Sequence, residues 1–477
     1  MNVTILLILL LAGAAITYFS GDKLASRVSF IFSLITAVAS FYLLNLFNQN
    51  ANINYLSQWI NNPNVSVAFT VDGLSMAMIL LTTTLLPLII LSSFKNEFSN
   101  AKSFYALILF MGFAMVGTFL ATDGLLYYIF WELALIPIYF IALIWGNDDA
   151  EKRKKAVQKF FIITLGGSLF MLTAFIYLYQ KTGSFLIQNL YKTELSSAEQ
   201  FWIFFAFFLA YAIKIPIIPM HTWQANVYQK APTAGTMLLS GIMLKMGLYS
   251  VLRWQLPLAP LAAKEYLPII LGFCIAGVIY GSVVALKQKD LKKLLAYSSL
   301  AHVGLIAAGC YSMTVDGMSG AVAQMIAHGY VIVGLFFAAE IINRRFNTWK
   351  IKEMGGIRLQ APIFASLFLI MVLASVAMPG TYNFVGEFTV LFSMFQVNIW
   401  FAIFGGLTII LGAYYMLKMF QNVMLGETKK EFADINFTEI AVLVVIATFL
   451  LGYGIYPKPI TELVQPAIEN IVAITNR

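Results

Sequence analysis

Long apolar runs separated by short polar segments dominate the chain, and their spacing predicts membrane-spanning helices. A bilayer-spanning helix needs about 20 mostly apolar residues. Runs of this kind lie near residues 3–20, 28–46, 70–93, 103–120, 124–146, 157–180, 200–227, 232–252, 267–286, 294–310, 318–342, 362–395, 400–424 and 437–455. The pattern predicts an all-α polytopic membrane protein of about 14 transmembrane helices. The first run has no basic segment ahead of it, so it reads as a first spanning helix rather than a cleaved signal peptide. No Pro/Ser/Gly-rich linker or low-complexity tract divides the sequence, which predicts a single membrane domain over residues 1–477. Within it, 1–93 holds helices one to three, 103–252 helices four to eight, 267–424 helices nine to thirteen, and 437–477 the fourteenth helix and a C-terminal tail.

Composition agrees with the pattern. Hydrophobic residues make up 60% of the chain and charged residues 11%, against roughly a quarter charged in soluble domains. The net charge of +8 has a topological explanation that needs no nucleic acid, because basic residues collect in cytoplasmic loops. About 20 of the lysines and arginines fall in loops after odd-numbered helices, and about 6 in the even loops and termini. Both termini are therefore expected outside, with the odd loops facing the cytoplasm. Two cysteines, Cys274 and Cys310, lie inside apolar runs and are too few for an iron–sulfur cluster.

Candidate chemistry comes from the ionisable residues left inside the spans. Lys159 and Lys418 sit near cytoplasmic ends, where a long side chain reaches the interface, and Glu340 lies about one turn from such an end. Lys214, Lys245, Glu132 and Glu387 lie deeper. A charge at the bilayer centre costs about 2.5–3.5 kcal/mol on the most lenient scale, so such residues are paired or line a water path. Structural ion pairs locking helices together are the plain alternative. A path of titratable groups is favoured because His302, in LAYSSLAHVGL, and His328, in QMIAHGYVIVG, lie at comparable depth. Ser298, Ser299 and Gln324 stand near them and can hold ordered water.

Two spans also carry interruptions. Pro216 and Pro219 follow Lys214 in YAIKIPIIPMHTW, and Pro379-Gly380 interrupts the twelfth span in LASVAMPGTYNFVGEF. Proline frees a backbone carbonyl, which is tolerated in a bilayer only where protein or a wet cavity satisfies it. Helices seven and twelve are thus expected to be broken near ionisable groups. They are five helices apart and cross the membrane in opposite senses, as two inverted five-helix repeats require: helices four to eight and nine to thirteen. Burial disfavours an ammonium and a nearby carboxylate favours it, so a lysine at such a break is suited to taking up and releasing a proton. Glu132 is the expected partner of Lys214. The chain has no GxGxxG, no Walker A loop and no metal-spaced cluster of Cys or His. Energy for transport must come from a partner or from another ion gradient.

Several stretches carry a family resemblance: VDGLSMAMILL at 71–81, FWELALIPIYFIALIWG at 130–146, KIPIIPMHTW, QKAPTAGTMLLSGIMLKMGLYSVLRW at 229–254, LLAYSSLAHVGLI, QMIAHGYVIVGLF and MPGTYNFVGEF. Together they resemble the antiporter-like M subunits of bacterial NADH:quinone oxidoreductase, respiratory complex I, equivalent to mitochondrial NADH dehydrogenase subunit 4. The resemblance runs over nearly the whole chain. It implies 14 helices in two inverted repeats with discontinuous helices seven and twelve. It implies that Glu132 pairs with Lys214 and modulates its proton affinity, that Lys245 is the central relay lysine, that His302 and His328 belong to the hydrophilic axis, and that Glu387 exchanges protons with the far side. It further implies no cofactor in this chain, with FMN, iron–sulfur clusters and quinone in partner subunits. L-type and N-type antiporter-like neighbours are implied, and a bacterial inner-membrane location with both termini periplasmic. One departure stands out. Where the family reads LPDAH after HTW, this chain has Gln224-Ala225-Asn226-Val227-Tyr228, which puts in doubt any proton-entry role for the missing acid and histidine. Two other readings compete: a subunit of a multisubunit Na⁺/H⁺ antiporter on the same fold, and a purely structural subunit. The second is disfavoured because apolar residues would pack helices at lower cost than buried charges.

Overall fold

In the computed structural model, residues 2–146 and 149–476 are described, and they are mostly helical. Eleven helices among them are long and apolar enough to cross a membrane, from Asp22–Asn48 to Phe437–Ile455, with the shorter apolar helices Thr4–Phe19 and Pro362–Ser375 beside them. The chain folds as two compact units. One comprises Met1–Ile215, Ile242–Tyr266 and Leu463–Arg477; the other comprises Pro216–Gly241 and Leu267–Glu462.

The seventh predicted span begins as Ser197–Lys214, with a capping box in which Ser196 and Glu199 each accept from the other's backbone amide. It stops at Lys214, and helix resumes only at Gln224–Lys230. Pro216, buried, and Pro219, exposed, both lie in the non-helical stretch between. Neither can donate a helical N–H, so the backbone leaves the helix here. The twelfth predicted span is likewise two helices, Pro362–Ser375 and Tyr382–Val397. Pro379 lies in the gap between them, where Ala377 (φ 52°) and Gly380 (φ 92°) take left-handed backbone conformations.

A further interruption went unforeseen. The span 124–144 is two helical pieces, Gly124–Leu133 and Leu135–Ile144, meeting at Ala134. Pro137, which cannot donate to the Leu133 carbonyl, sits just beyond the junction, and Glu132 just before it. In the eighth span, π-helical turns at Leu239–Met243 and Val251–Gln255 flank the α-helical segment Leu244–Ser250 that carries Lys245.

In the second unit, the helices Val315–Phe346 and Tyr382–Val397 approach so closely that a side chain at Gly386 would meet the Gln324 backbone nitrogen at 2.6 Å. Two elements escaped the hydropathy pattern: an antiparallel hairpin, Tyr55–Ile60 with Val65–Phe69, and a C-terminal helix, Lys458–Thr475. That helix buries Val464, Ala467, Ile468, Ile471 and Thr475, a stripe at helical spacing.

Candidate proton-transfer site

The first unit contains Glu132, Lys214 and Lys245, the first two near enough for their charges to interact. Lys214 ends its helix 1% exposed, and its ammonium has no hydrogen-bond partner in the protein. It lies over the face of Trp131, 4.9 Å from the ring centroid, a contact that stabilises a cation by about 1–2 kcal/mol. Glu132, the next residue along, is half-buried, faces Ser168 on the helix Ala150–Thr182, and is near enough to Lys214 for their charges to interact. The expected Glu132–Lys214 pairing is therefore an electrostatic proximity; no ion pair within 4.0 Å joins them among the described residues. Lys245 is fully buried. Aromatic rings connect these elements: Trp131 packs on Tyr211 at 5.5 Å, and the Tyr127 hydroxyl donates to Ser250, at the end of the segment carrying Lys245.

In the second unit His302, His328 and Glu387 come together. Glu387 is 1% exposed, and neither carboxylate oxygen has a hydrogen-bond partner in the protein. His302 Nδ1 stands 4.0 Å from Glu387 Oε2, and the His302 and His328 ring centroids are 6.2 Å apart. Ser299 Oγ is 3.1 Å from His328 Nε2, and Ser298 Oγ is 3.0 Å from the Tyr415 hydroxyl, which is close enough to Glu387 to interact with its charge. Gln324 and Asn383 lie four residues before His328 and Glu387, so each sits one turn away on the same helix face. Both amide atoms of Gln324, and the carbonyl oxygen of the Asn383 side chain, lack partners in the protein. Buried polar atoms are nearly always satisfied by protein or ordered water, so this cluster is a place for water.

The predicted site residues thus fall into two groups, Glu132, Lys214 and Lys245 in one unit and His302, His328 and Glu387 in the other. Among the described residues, no group of three or more His, Cys, Asp or Glu is placed to hold a metal. Both cysteines are buried free thiols.

The family pattern described as NADH:quinone oxidoreductase/Mrp antiporter, TM matches residues 121–412, a stretch that contains every one of these six residues. Over nearly its full length the chain is 35% identical to NADH-quinone oxidoreductase subunit M of Rickettsia prowazekii (strain Madrid E), covering 94% of this chain and 93% of that protein. The chain belongs to the subunit M family of NADH:quinone oxidoreductase. NADH-ubiquinone oxidoreductase chain 4 of Marchantia polymorpha is 32% identical, over 98% of this chain and 94% of that protein. A chain of respiratory complex I from Thermus thermophilus with bound NADH superposes with a TM-score of 0.92 at 28% identity, covering 99% of each chain. A chain of the Mrp complex from Dietzia sp. DQ12-45-1b shares the fold, with a TM-score of 0.84 at 18% identity over 97% of each chain. Membership makes this chain a multi-pass membrane subunit of an oxidoreductase complex.

Three residues are not among those the sequence predicts: Trp131 and Tyr415 beside these groups, and Lys292 apart from them. Trp131 and Tyr415 were read as part of apolar runs, where an aromatic residue carries no sign of what it faces. Lys292 lies in the polar segment between the predicted ninth and tenth spans, yet it is fully buried, and its ammonium donates to the Ala231 carbonyl at 2.7 Å. Its position seven residues before Ser299 puts the two on one helix face, and that was the available signal.

Proposed function

We propose that this chain is a proton-translocating subunit of the membrane arm, driven by NADH oxidation and quinone reduction carried out in partner subunits. The observation that carries the proposal is the pair of buried ionisable groups lacking hydrogen bonds within the protein, the Lys214 ammonium and the Glu387 carboxylate. A group left so in a membrane interior is costly unless its charge or its proton moves. In this reading the distance between Glu132 and Lys214 controls how firmly Lys214 holds its proton. The proton passes by way of Lys245, His302 and His328 to Glu387, and leaves on the far side. Pro216, Pro219 and Pro379 supply the helix breaks that let water approach. The proposal includes two inverted repeats, helices four to eight and nine to thirteen, within one membrane domain. It also includes both termini on the periplasmic side of a bacterial inner membrane, L-type and N-type neighbours, and FMN, iron–sulfur clusters and quinone held by partners.

The test uses membrane vesicles carrying the whole complex with Lys214→Ala. NADH-driven quinone reduction and proton uptake should both fall, by roughly a hundredfold for the proton uptake, while the assembled complex stays at its normal level. Unchanged oxidation and pumping with loss of Na⁺/H⁺ exchange would make the chain an antiporter subunit and overturn the reading.

A further inference from the structure

Away from both groups, the second unit holds a buried charge cluster that the relay does not use. Lys292 is fully buried; its ammonium donates to the Ala231 carbonyl at 2.7 Å and lies 5.2 Å from the Trp349 ring centroid. Glu340, half-exposed, accepts a hydrogen bond from the Thr233 hydroxyl. Glu340 and Asp290 are both near enough to Lys292 for their charges to interact, and Asp290 accepts from the Gln229 amide at 3.0 Å. Arg344, one turn from Glu340, also feels its charge but is engaged by Glu439 at 3.2 Å. The backbone closes over the cluster: Leu291 N donates to Trp349 O at 2.8 Å, and Ile351 N to Lys289 O at 3.0 Å.

A purely structural role would be to join the ends of three helices. Two features argue for more. A half-exposed carboxylate beside a fully buried ammonium is a boundary between solvent and interior, and the desolvated charge has a carbonyl as its only hydrogen-bond acceptor among the described residues. The same elements also lead inward. Lys292 is two turns, about 10 Å of helix rise, from Ser299, which contacts His328. Glu340 and His328 share the helix Val315–Phe346. One turn inward from Glu340, Phe336 packs on the Tyr228 ring at 6.1 Å, and the buried Tyr228 hydroxyl faces the Gln224 amide.

We propose that Glu340 is the inlet of the proton route in the second unit, on the side that carries the basic loops, with Thr233 and Lys292 as positioning residues. A proton from water on that side forms an O–H bond on Glu340, and the hydroxide left behind is neutralised by bulk buffer. That O–H bond breaks as the proton moves inward over water to the His328 imidazole. Lys292 places a buried positive charge on the inner side of the carboxylate, and the Thr233 hydroxyl fixes its direction. The inlet rests on the proton-translocation reading above.

The test is made in the assembled complex in membrane vesicles, with Lys214→Ala measured in parallel. Glu340→Gln keeps an acceptor for Thr233 but cannot carry a proton; NADH-driven proton uptake should fall by roughly a hundredfold with assembly unchanged. Glu340→Asp should restore most of it, which a packing role alone would not produce. Lys292→Met should fall with Glu340→Gln, and Lys292→Arg should recover. If Glu340→Gln does not assemble, Thr233→Val decides instead: reduced pumping supports the inlet and wild-type pumping overturns it. Wild-type pumping by assembled Glu340→Gln, with Lys214→Ala inactive, removes the inlet and leaves the function standing. If Lys214→Ala is also fully active, the reading beneath it falls.

Discussion

The two polar groups differ in what surrounds their charge. In the first unit two lysines are buried with one half-buried carboxylate, and the Lys214 ammonium rests on an indole face. In the second unit the group has no lysine; a fully buried carboxylate stands 4.0 Å from one imidazole, with a second imidazole behind it. An aromatic face stabilises a cation without accepting its proton, whereas an imidazole can donate through one nitrogen and accept through the other. On the proposed function, the first group holds or releases charge and the second passes a proton along.

The largest test of that division compares the two acids. Glu387→Gln removes the carboxyl group of the transfer group and should lower NADH-driven proton uptake by roughly a hundredfold. Glu132→Gln only alters the field around Lys214, and the partial exposure of Glu132 screens it, so the expected loss is roughly fivefold. Equal losses from the two variants would break the division. Both are measured as proton uptake per assembled complex.

A satisfied ion pair in the first unit shows what these groups would look like if they served stability alone. Arg253 Nη2 lies 2.6 Å from both oxygens of Asp72, which also caps the helix Gly73–Ser92. Burial pushes the Asp72 carboxyl up, but the Arg253 charge and its hydrogen bonds outweigh burial and hold it below the usual carboxylate value. A carboxyl lowered on folding contributes stability above its unfolded value near 3.9, and that contribution is lost as pH falls through the folded value. Asp72→Asn should thus cost about 2 kcal/mol near pH 7, with the deficit narrowing as pH is lowered through 4 and below. Thermal unfolding of the detergent-solubilised complex reads it. A deficit that grew toward acid pH would contradict the assignment.

Much of this was legible because membrane helices announce themselves. Twenty apolar residues in a row have few other uses, which is why the described residues hold eleven helices long and apolar enough to cross a membrane, and the prolines at 216, 219 and 379 lie where helix is interrupted. Glu132, Lys214, Lys245, His302, His328 and Glu387 stood out for the same reason: polarity is rare at that depth. What stayed hidden had no such contrast. The hairpin strands are only five and six residues long, and the C-terminal helix is amphipathic rather than wholly apolar. Lys292 was assigned to a loop because lysines cluster there, although its spacing to Ser299 placed it on the inner face. Which aromatic ring lies under Lys214 depends on packing between two helices, and no local pattern encodes that.

Trp131 gives a smaller test of the same contrast. If the indole steadies the ammonium of Lys214, Trp131→Leu should shift the balance between its charged and neutral forms by about 1 kcal/mol. Proton uptake per NADH oxidised should then fall severalfold, and Trp131→Phe, which keeps a π face, should lie between the variant and wild type. No change in Trp131→Leu would reduce the ring to packing and remove the feature that most distinguishes the first group from the second.

The smallest expected effect is at Ser299. Its hydroxyl lies 3.1 Å from His328 Nε2 and orients one imidazole of the transfer group, a hydrogen bond worth about 1 kcal/mol. Ser299→Ala deletes the hydroxyl and leaves a space of similar size in a polar pocket, where water can take over the bond. Proton uptake should fall about twofold, and Ser299→Thr, which keeps the hydroxyl, should fall less. A loss as large as that of Glu387→Gln would make the serine an obligatory carrier between His328 and its neighbours. The second group would then be a single fixed chain of hydrogen bonds, rather than a cluster of groups that pass protons through exchangeable water.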